Sequence, residues 1–275
     1  MPHITVDGLD FWAEVEGSGP PLVLLHGFTG SRTTWFDFVP VAAKEFTTIA
    51  IDHIGHGRTA SPASVERYRM ARTVDDLVEV VRALGHERAI WLGYSLGGRT
   101  ALQVACRHPE AVAALVTEGA SVGLATEAER TARIEADERL AQMIEQDGLE
   151  AFVDHWESIS LWESQQETLS ESQRAALRQQ RLAQRGAGLA NSLRGMGTGS
   201  QSWLGDQLSE ISVPVLLTAG RLDTKYVQIA EEMASAIPDS RVRIIEGGGH
   251  AAHLEQPQAF NSVVMEFLRE VRPLV

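Results

Sequence analysis

The chain has 275 residues, 44% of them hydrophobic, 22% charged and 6% aromatic. That is enough apolar material for one sizeable core and not clearly for two. The formal net charge of -13 repels nucleic acid phosphate and anionic lipid, so neither is an expected partner; an anionic substrate would have to be drawn in by a few cations placed inside a cleft.

The opening "HITVDGLDFWAEVEG" reads as a hairpin turning at Asp7-Gly8. It carries no basic segment followed by an apolar run, and no later stretch approaches the roughly 18 apolar residues of a membrane span. The expectation is a cytoplasmic protein without a membrane segment. "PLVLLHG" (21–27), "FTTIAID" (46–52), "AIWLGYS" (89–95), "VAALVTEG" (112–119), "VPVLLTAG" (213–220) and "VRIIEGG" (242–248) predict strands. They are short, apolar throughout and rich in Val, Ile and Leu, as strands buried on both faces are. Helices lie between them. Thr73 is expected to cap "VDDLVEVVRALG", with apolar residues at helical spacing and Gly85 stopping it. "LGGRTALQVACRH" is a helix ended before Pro109, and "KYVQIAEEMASAI" and "QAFNSVVMEFLREV" are two more. Cys106, the one cysteine, falls in the first of these; it excludes an internal disulfide and reads as a small buried apolar residue. The alternation predicts an α/β fold with a mostly parallel sheet and helices on both faces.

One interval breaks this rhythm. Residues 121–208 contain no strand-like run but show helical spacing, many Glu, Gln, Arg and Ala, and scattered tryptophans. The stretch is too long for a loop. The expected organisation is a core of residues 1–120 and 209–275, with 121–208 inserted as a helical cap over one end of the sheet.

"GYSLG" (93–97) follows a predicted strand and opens a helix. In that context the G-x-S-x-G spacing exposes Ser95 on a sharp turn as a nucleophile or base. A hydroxyl needs a group to take its proton. Asp223 in "LLTAGRLDTK" and His250 in "IIEGGGHAAHLEQP" each follow a later strand, giving the order Ser, Asp, His. His253 competes with His250, and Asp223 could instead be a turn or cap residue. An oxyanion site needs two convergent N–H groups; Leu96 and, from "HGFTG" (26–30), Phe28 are the candidates, while His26 reads as structural. Asp52, His53 and His56 lack a further ligand at useful spacing, so no metal is expected. No cofactor motif is present.

Arg99 stands four residues after Ser95, one helical turn on and on the same face. Arg130 and Arg133 also share a face, although Glu129 and Arg133 are spaced to pair. Lys225 is two residues from Asp223. Arg99, Arg133 and Lys225 converging on one cleft of an acidic protein would select a small anionic substrate, since arginine grips a carboxylate through parallel hydrogen bonds. Monomer and weak homo-oligomer both remain open.

These motifs together resemble the α/β-hydrolase superfamily over nearly the whole chain. The resemblance implies an eight-stranded sheet with a cap inserted after the sixth strand. "DHIGHG" departs from that family's usual "D-x-P-G-x-G" by carrying Ile54 for proline, which should alter the turn and not the chemistry. "HGFTG", "GYSLGGR", "EGASVGLATEAERTAR", "GRLDTKY" and "GGGHAAHLEQP" further resemble a lyase branch of that superfamily acting in menaquinone biosynthesis. That resemblance implies elimination of pyruvate from a cyclohexene bearing succinyl, carboxylate and enolpyruvyl groups. Ser95 would be the base, Arg99, Arg133 and Lys225 would hold carboxylates, and Trp156 would line the cap side. A carboxylesterase or C–C bond hydrolase for a small acid, and a non-catalytic ligand-binding protein, are the competing readings.

Overall fold

A computed structural model describes residues 3–274. Strands β1 (His3–Val6) and β2 (Leu9–Glu16) form the expected hairpin. Asp7 and Gly8 both take positive φ, 45° and 73°, which matches the twist that a two-residue turn between strands requires. Six more strands follow: β3 (Pro21–Leu25), β4 (Thr47–Ile51), β5 (Ala89–Tyr94), β6 (Val112–Glu118), β7 (Val215–Gly220) and β8 (Ser240–Ile245). They build one eight-stranded sheet in the order β1-β2-β4-β3-β5-β6-β7-β8. The β1–β2 and β2–β4 pairings are antiparallel and the rest parallel.

The near-continuous apolar strands have a simple cause. Along β3, Val23 and Leu25 enter one core while Leu22 and Leu24 enter another on the opposite face. Helices α2 (Met70–Ala83), α3 (Leu96–Arg107) and α9 (Thr224–Ala236) cover the first face, and α1 (Val39–Ala42) and α11 (Pro257–Val271) the second. Strand β8 differs from expectation. It is an edge strand whose residues alternate between half-buried and exposed up to Ile245, so its two faces are not equally covered. Thr73 is also misplaced by the sequence reading. Helix α2 begins at Met70, four residues before the expected start at Val74, and Thr73 is buried inside it without a capping bond; the apolar Met70, which packs into the core, carries the helix N-terminal of the polar start signal.

Between β6 and β7 the chain forms α4 (Glu127–Gln146), α5 (Gly148–Ser158), α6 (Glu163–Thr168), α7 (Glu171–Leu182) and α8 (Gly186–Met196). Reciprocal Thr126–Glu129 hydrogen bonds start α4, and reciprocal Ser170–Gln173 bonds start α7. Ala141, Ile144, Phe152, Val153, Leu189, Ala190 and Leu193 form a small core of their own, against which Phe28 and Trp156 pack. The chain visits β4 on one side of β3 and then β5 on the other. In open α/β sheets the crevice at such a reversal, beyond the carboxyl ends of the strands, is where ligands bind. "HGFTG" leaves β3 and "GYSLG" leaves β5 at this place.

Candidate active site

Ser95 sits between β5 and α3 with φ 51° and ψ -108°, a conformation that costs an ordinary residue about 1–3 kcal/mol. The turn closes only because its neighbours have no side chains. A Cβ on Gly93 would lie 2.2 Å from the Gly97 carbonyl oxygen, and one on Gly97 would lie 2.1 Å from that of Leu25. The Ser95 N–H donates to the Glu118 carbonyl at 2.8 Å, pinning the turn to the end of β6.

Two further loops reach the same point. Asp223, just past β7, caps α9 by accepting from the Tyr226 N–H, and its Oδ2 lies 2.7 Å from His250 Nδ1. It is therefore a cap residue and a partner of the imidazole at once. His250, on the loop after β8, places Nε2 3.0 Å from Ser95 Oγ. With Nδ1–H donating to the carboxylate, Nε2 is left as the acceptor for the serine proton. His253 faces elsewhere. Its backbone N–H donates to Glu118 Oε1 at 2.9 Å, and its ring lies against Trp35 and Tyr94.

Among the described residues, neither the Phe28 nor the Leu96 N–H donates to a protein acceptor, and both residues line the cavity beside Ser95. Helix α3 starts at Leu96, so its first N–H groups have no acceptor within the helix. The Gly30 N–H donates to Gly27 O across a tight turn with Phe28 and Thr29 at its centre, Thr29 at φ 65°. His26 holds this segment. Its Nδ1–H donates to Gly27 O at 2.7 Å and Nε2 accepts from the His53 N–H at 3.0 Å. Burial pushes the His26 imidazole down to about 4 and the His56 imidazole down to about 3, so both are neutral near pH 7. Asp52 accepts from the backbone N–H groups of Arg32 and Arg58. It is a loop anchor, and no group of three or more metal-binding side chains occurs among the described residues. Ile54 is fully buried in the core.

The cavity above Ser95 has a volume of about 260 Å³. Arg99 lines it, half-buried, with Nη1 donating to the Met196 carbonyl at 2.9 Å and also to Gln201 Oε1. Burial pulls its guanidinium down to about 10, still charged at neutral pH. Arg133 stands at the rim and pairs with Asp137, Nε to Oδ1 at 2.9 Å, in place of Glu129, which closes the capping box. Arg130 turns away to the Leu124 and Ala125 carbonyls. Lys225 corrects the sequence reading: it is exposed and does not line the cavity. The next residue on α9, Tyr226, takes that place, its ring centroid 4.7 Å from that of His250. Trp156, on α5, lines the cavity between Phe28 at 5.4 Å, Phe152 at 5.7 Å and Trp162 at 5.9 Å between ring centroids. Tyr94, Asp137 and Tyr226 are cavity residues that sequence reasoning missed; the only signal for Tyr226 was its place beside Asp223. Cys106 is half-buried rather than buried, and burial raises its thiol to about 11.

The profile of the α/β-hydrolase fold family matches residues 20–257. The chain belongs to that family. The putative 2-succinyl-6-hydroxy-2,4-cyclohexadiene-1-carboxylate synthase of Bacillus subtilis is 44% identical to it, over 98% of each chain. The structure of MenH from S. aureus superposes with a TM-score of 0.90 at 32% identity, covering 95% of this chain and 98% of that one. A thermophilic esterase from Thermogutta terrifontis, solved with malate bound, superposes with a TM-score of 0.87 at 25% identity, covering 98% and 96%. None of the described helices is long and apolar enough to cross a membrane.

Proposed function

We propose that this chain is a carbon–oxygen lyase that eliminates pyruvate from 2-succinyl-5-enolpyruvyl-6-hydroxy-3-cyclohexene-1-carboxylate, giving 2-succinyl-6-hydroxy-2,4-cyclohexadiene-1-carboxylate. The observation that carries the reading is the half-buried Arg99 guanidinium in the same cavity as Ser95, in a chain 44% identical to a relative named for this product. A neutral-ester hydrolase has no use for a half-buried cation beside its serine, whereas an enzyme for a substrate bearing several carboxylates does.

In this reading Ser95 Oγ takes the ring proton next to the succinyl ketone, while its own proton passes to His250 Nε2 and Asp223 stabilises the imidazolium. Negative charge gathers on the ketone oxygen, and the Phe28 and Leu96 N–H groups receive it. The electrons then shift through the ring, the C–O bond to the enolpyruvyl group breaks, and the leaving group departs as the enolate of pyruvate, which takes up a proton on carbon as the imidazolium gives one back. Arg99 and Arg133 hold carboxylates, and Trp156 walls the cap side. Residues 121–208 act as a cap on a core of 1–120 and 209–275.

A second reading, an esterase for a small acid, is favoured by the likeness to the esterase solved with malate. Pyruvate release separates the two. The substrate, generated in situ by the preceding pathway enzyme, should release pyruvate rapidly, and Ser95→Ala should lower that rate by about 10³-fold or more. Clear turnover of an acidic ester with no pyruvate above background would move the protein to the hydrolases.

A further inference from the structure

The His250 loop is held by a carboxylate outside the Ser95, His250 and Asp223 set. Glu255 closes the one-turn helix α10 (Ala252–Glu255) and is buried. Its Oε2 accepts the Gly249 N–H at 2.8 Å, and its Oε1 accepts the Ala251 N–H at 3.3 Å. These N–H groups belong to the two residues on either side of His250. The Thr168 hydroxyl, at the end of α6, lies 3.2 Å from the same Oε2 and shares its proton with the Ser164 carbonyl at 2.7 Å. Among the described residues no Lys, Arg or His forms an ion pair with Glu255, so three neutral donors are its partners. Helix α6 also presses on the loop directly: a Cβ on Gly249 would lie 1.9 Å from Ser164 Oγ.

We propose that Glu255 is the positioning residue of the His250 loop, clamping the peptide on both sides of the imidazole and tying that clamp to helix α6 of the cap. The inference rests on the reading of His250 as the acid–base group. Glu255 touches neither the cavity nor the reacting atoms, so it acts through His250. The chemistry favours a carboxylate here. Three donors converge on two oxygens, and only a side chain that accepts everywhere satisfies all of them. A glutamine would keep the shape but turn an NH2 group toward one of the donors. The 3.0 Å and 2.7 Å contacts of the imidazole depend on where this loop sits, and small misplacements of an acid–base group lower turnover steeply.

The experiment compares Glu255→Gln and Thr168→Val with the unaltered chain, measuring pyruvate release and the rate at which a fluorophosphonate probe labels Ser95. Labelling reads the serine–histidine pair whatever the natural substrate is. Glu255→Gln should lower kcat about tenfold with KM within about twofold, and labelling should slow by the same factor. Thr168→Val, which removes only the hydroxyl, should lower kcat about threefold and gives the test a second arm if the first variant folds poorly. Unchanged kcat and labelling in a folded Glu255→Gln protein, or a loss confined to KM, overturns the clamp; unchanged kcat in Thr168→Val overturns the tie to the cap. A chain that labels at Ser95 but releases no pyruvate sinks the proposed substrate instead, and the labelling rates still decide the role of Glu255.

Discussion

Arg99 and Lys225 were both candidates for the cleft in the sequence, and the structure separates them. Arg99 is one turn beyond Ser95 on α3, and a residue four positions along a helix must return to the same side. Its place was legible because the helix start was marked by the turn itself. Lys225 and Tyr226 are adjacent on α9, about 100° apart around the axis. Which of them faces His250 depends on how α9 is rolled against the sheet, and no spacing within "LDTKY" states that. The functional expectation divides accordingly. Arg99→Ala should lower kcat/KM for the acidic substrate by about 10- to 100-fold, the scale of a lost charge-assisted contact. Hydrolysis of a neutral activated ester should change by less than about threefold, and Lys225→Ala should leave both within about twofold. Equal losses on both substrates in Arg99→Ala would point to collapse of the cavity wall rather than a lost anchor.

At the scale of elements, the strand–turn–helix around Ser95 is the segment whose sequence and geometry agree most closely. The glycines of "GYSLG" are required because backbone oxygens stand where their side chains would be. Backbone cannot be pushed aside as a flexible side chain can. Gly97→Ala should therefore cost about 3 kcal/mol, at the upper end for overpacking, and should abolish labelling of Ser95 even where the protein still folds; denaturant unfolding and probe labelling on one sample check both. Helix α2 shows the reverse case. Thr73 offered a plausible start, but Met70 finds a place in the core and the helix runs past the polar residue. Helix α4 was legible as a helix, and Arg130 and Arg133 as neighbours on it. Their fates were not legible, because Arg130 bonds back to carbonyls before the helix and Arg133 is taken by Asp137.

For the molecule as a whole, the buried histidines beneath the Phe28 turn make stability depend on pH. An unperturbed imidazole takes its proton near 6.5, whereas in the folded chain His26 does so at about 4 and His56 at about 3. Burial also lowers His53, whose ring lies 4.8 Å from that of His26. Between the two limits the unfolded chain binds more protons than the folded one. Stability therefore falls as the pH is lowered from about 6.5 toward 4, by up to about 1.4 kcal/mol per pH unit for each such histidine. Denaturant unfolding at pH 7 and pH 5 should show this loss, and His26→Asn, which keeps a donor for Gly27 O but does not titrate there, should flatten it by about one proton. A pH dependence identical in the two proteins would mean that His26 is not the titrating group.

What the sequence by itself determined is local or additive. Apolar runs buried on both faces mark the strands of a mostly parallel sheet, the break after "VTEG" marks an insertion, and the glycines around Ser95 mark a turn that only small residues can make. Net charge of -13 makes any cation inside a cleft conspicuous. What only the tertiary structure decided is which groups meet across the chain. It chose His250 over His253 by the exit of β8, turned Tyr226 rather than Lys225 toward the cavity, drew Asp137 onto Arg133, and folded Glu255 back over both sides of His250. Periodicity says that a residue lies on some face of a helix. The roll of that helix against its neighbours, which chooses the face, is set by packing among residues far apart in the sequence.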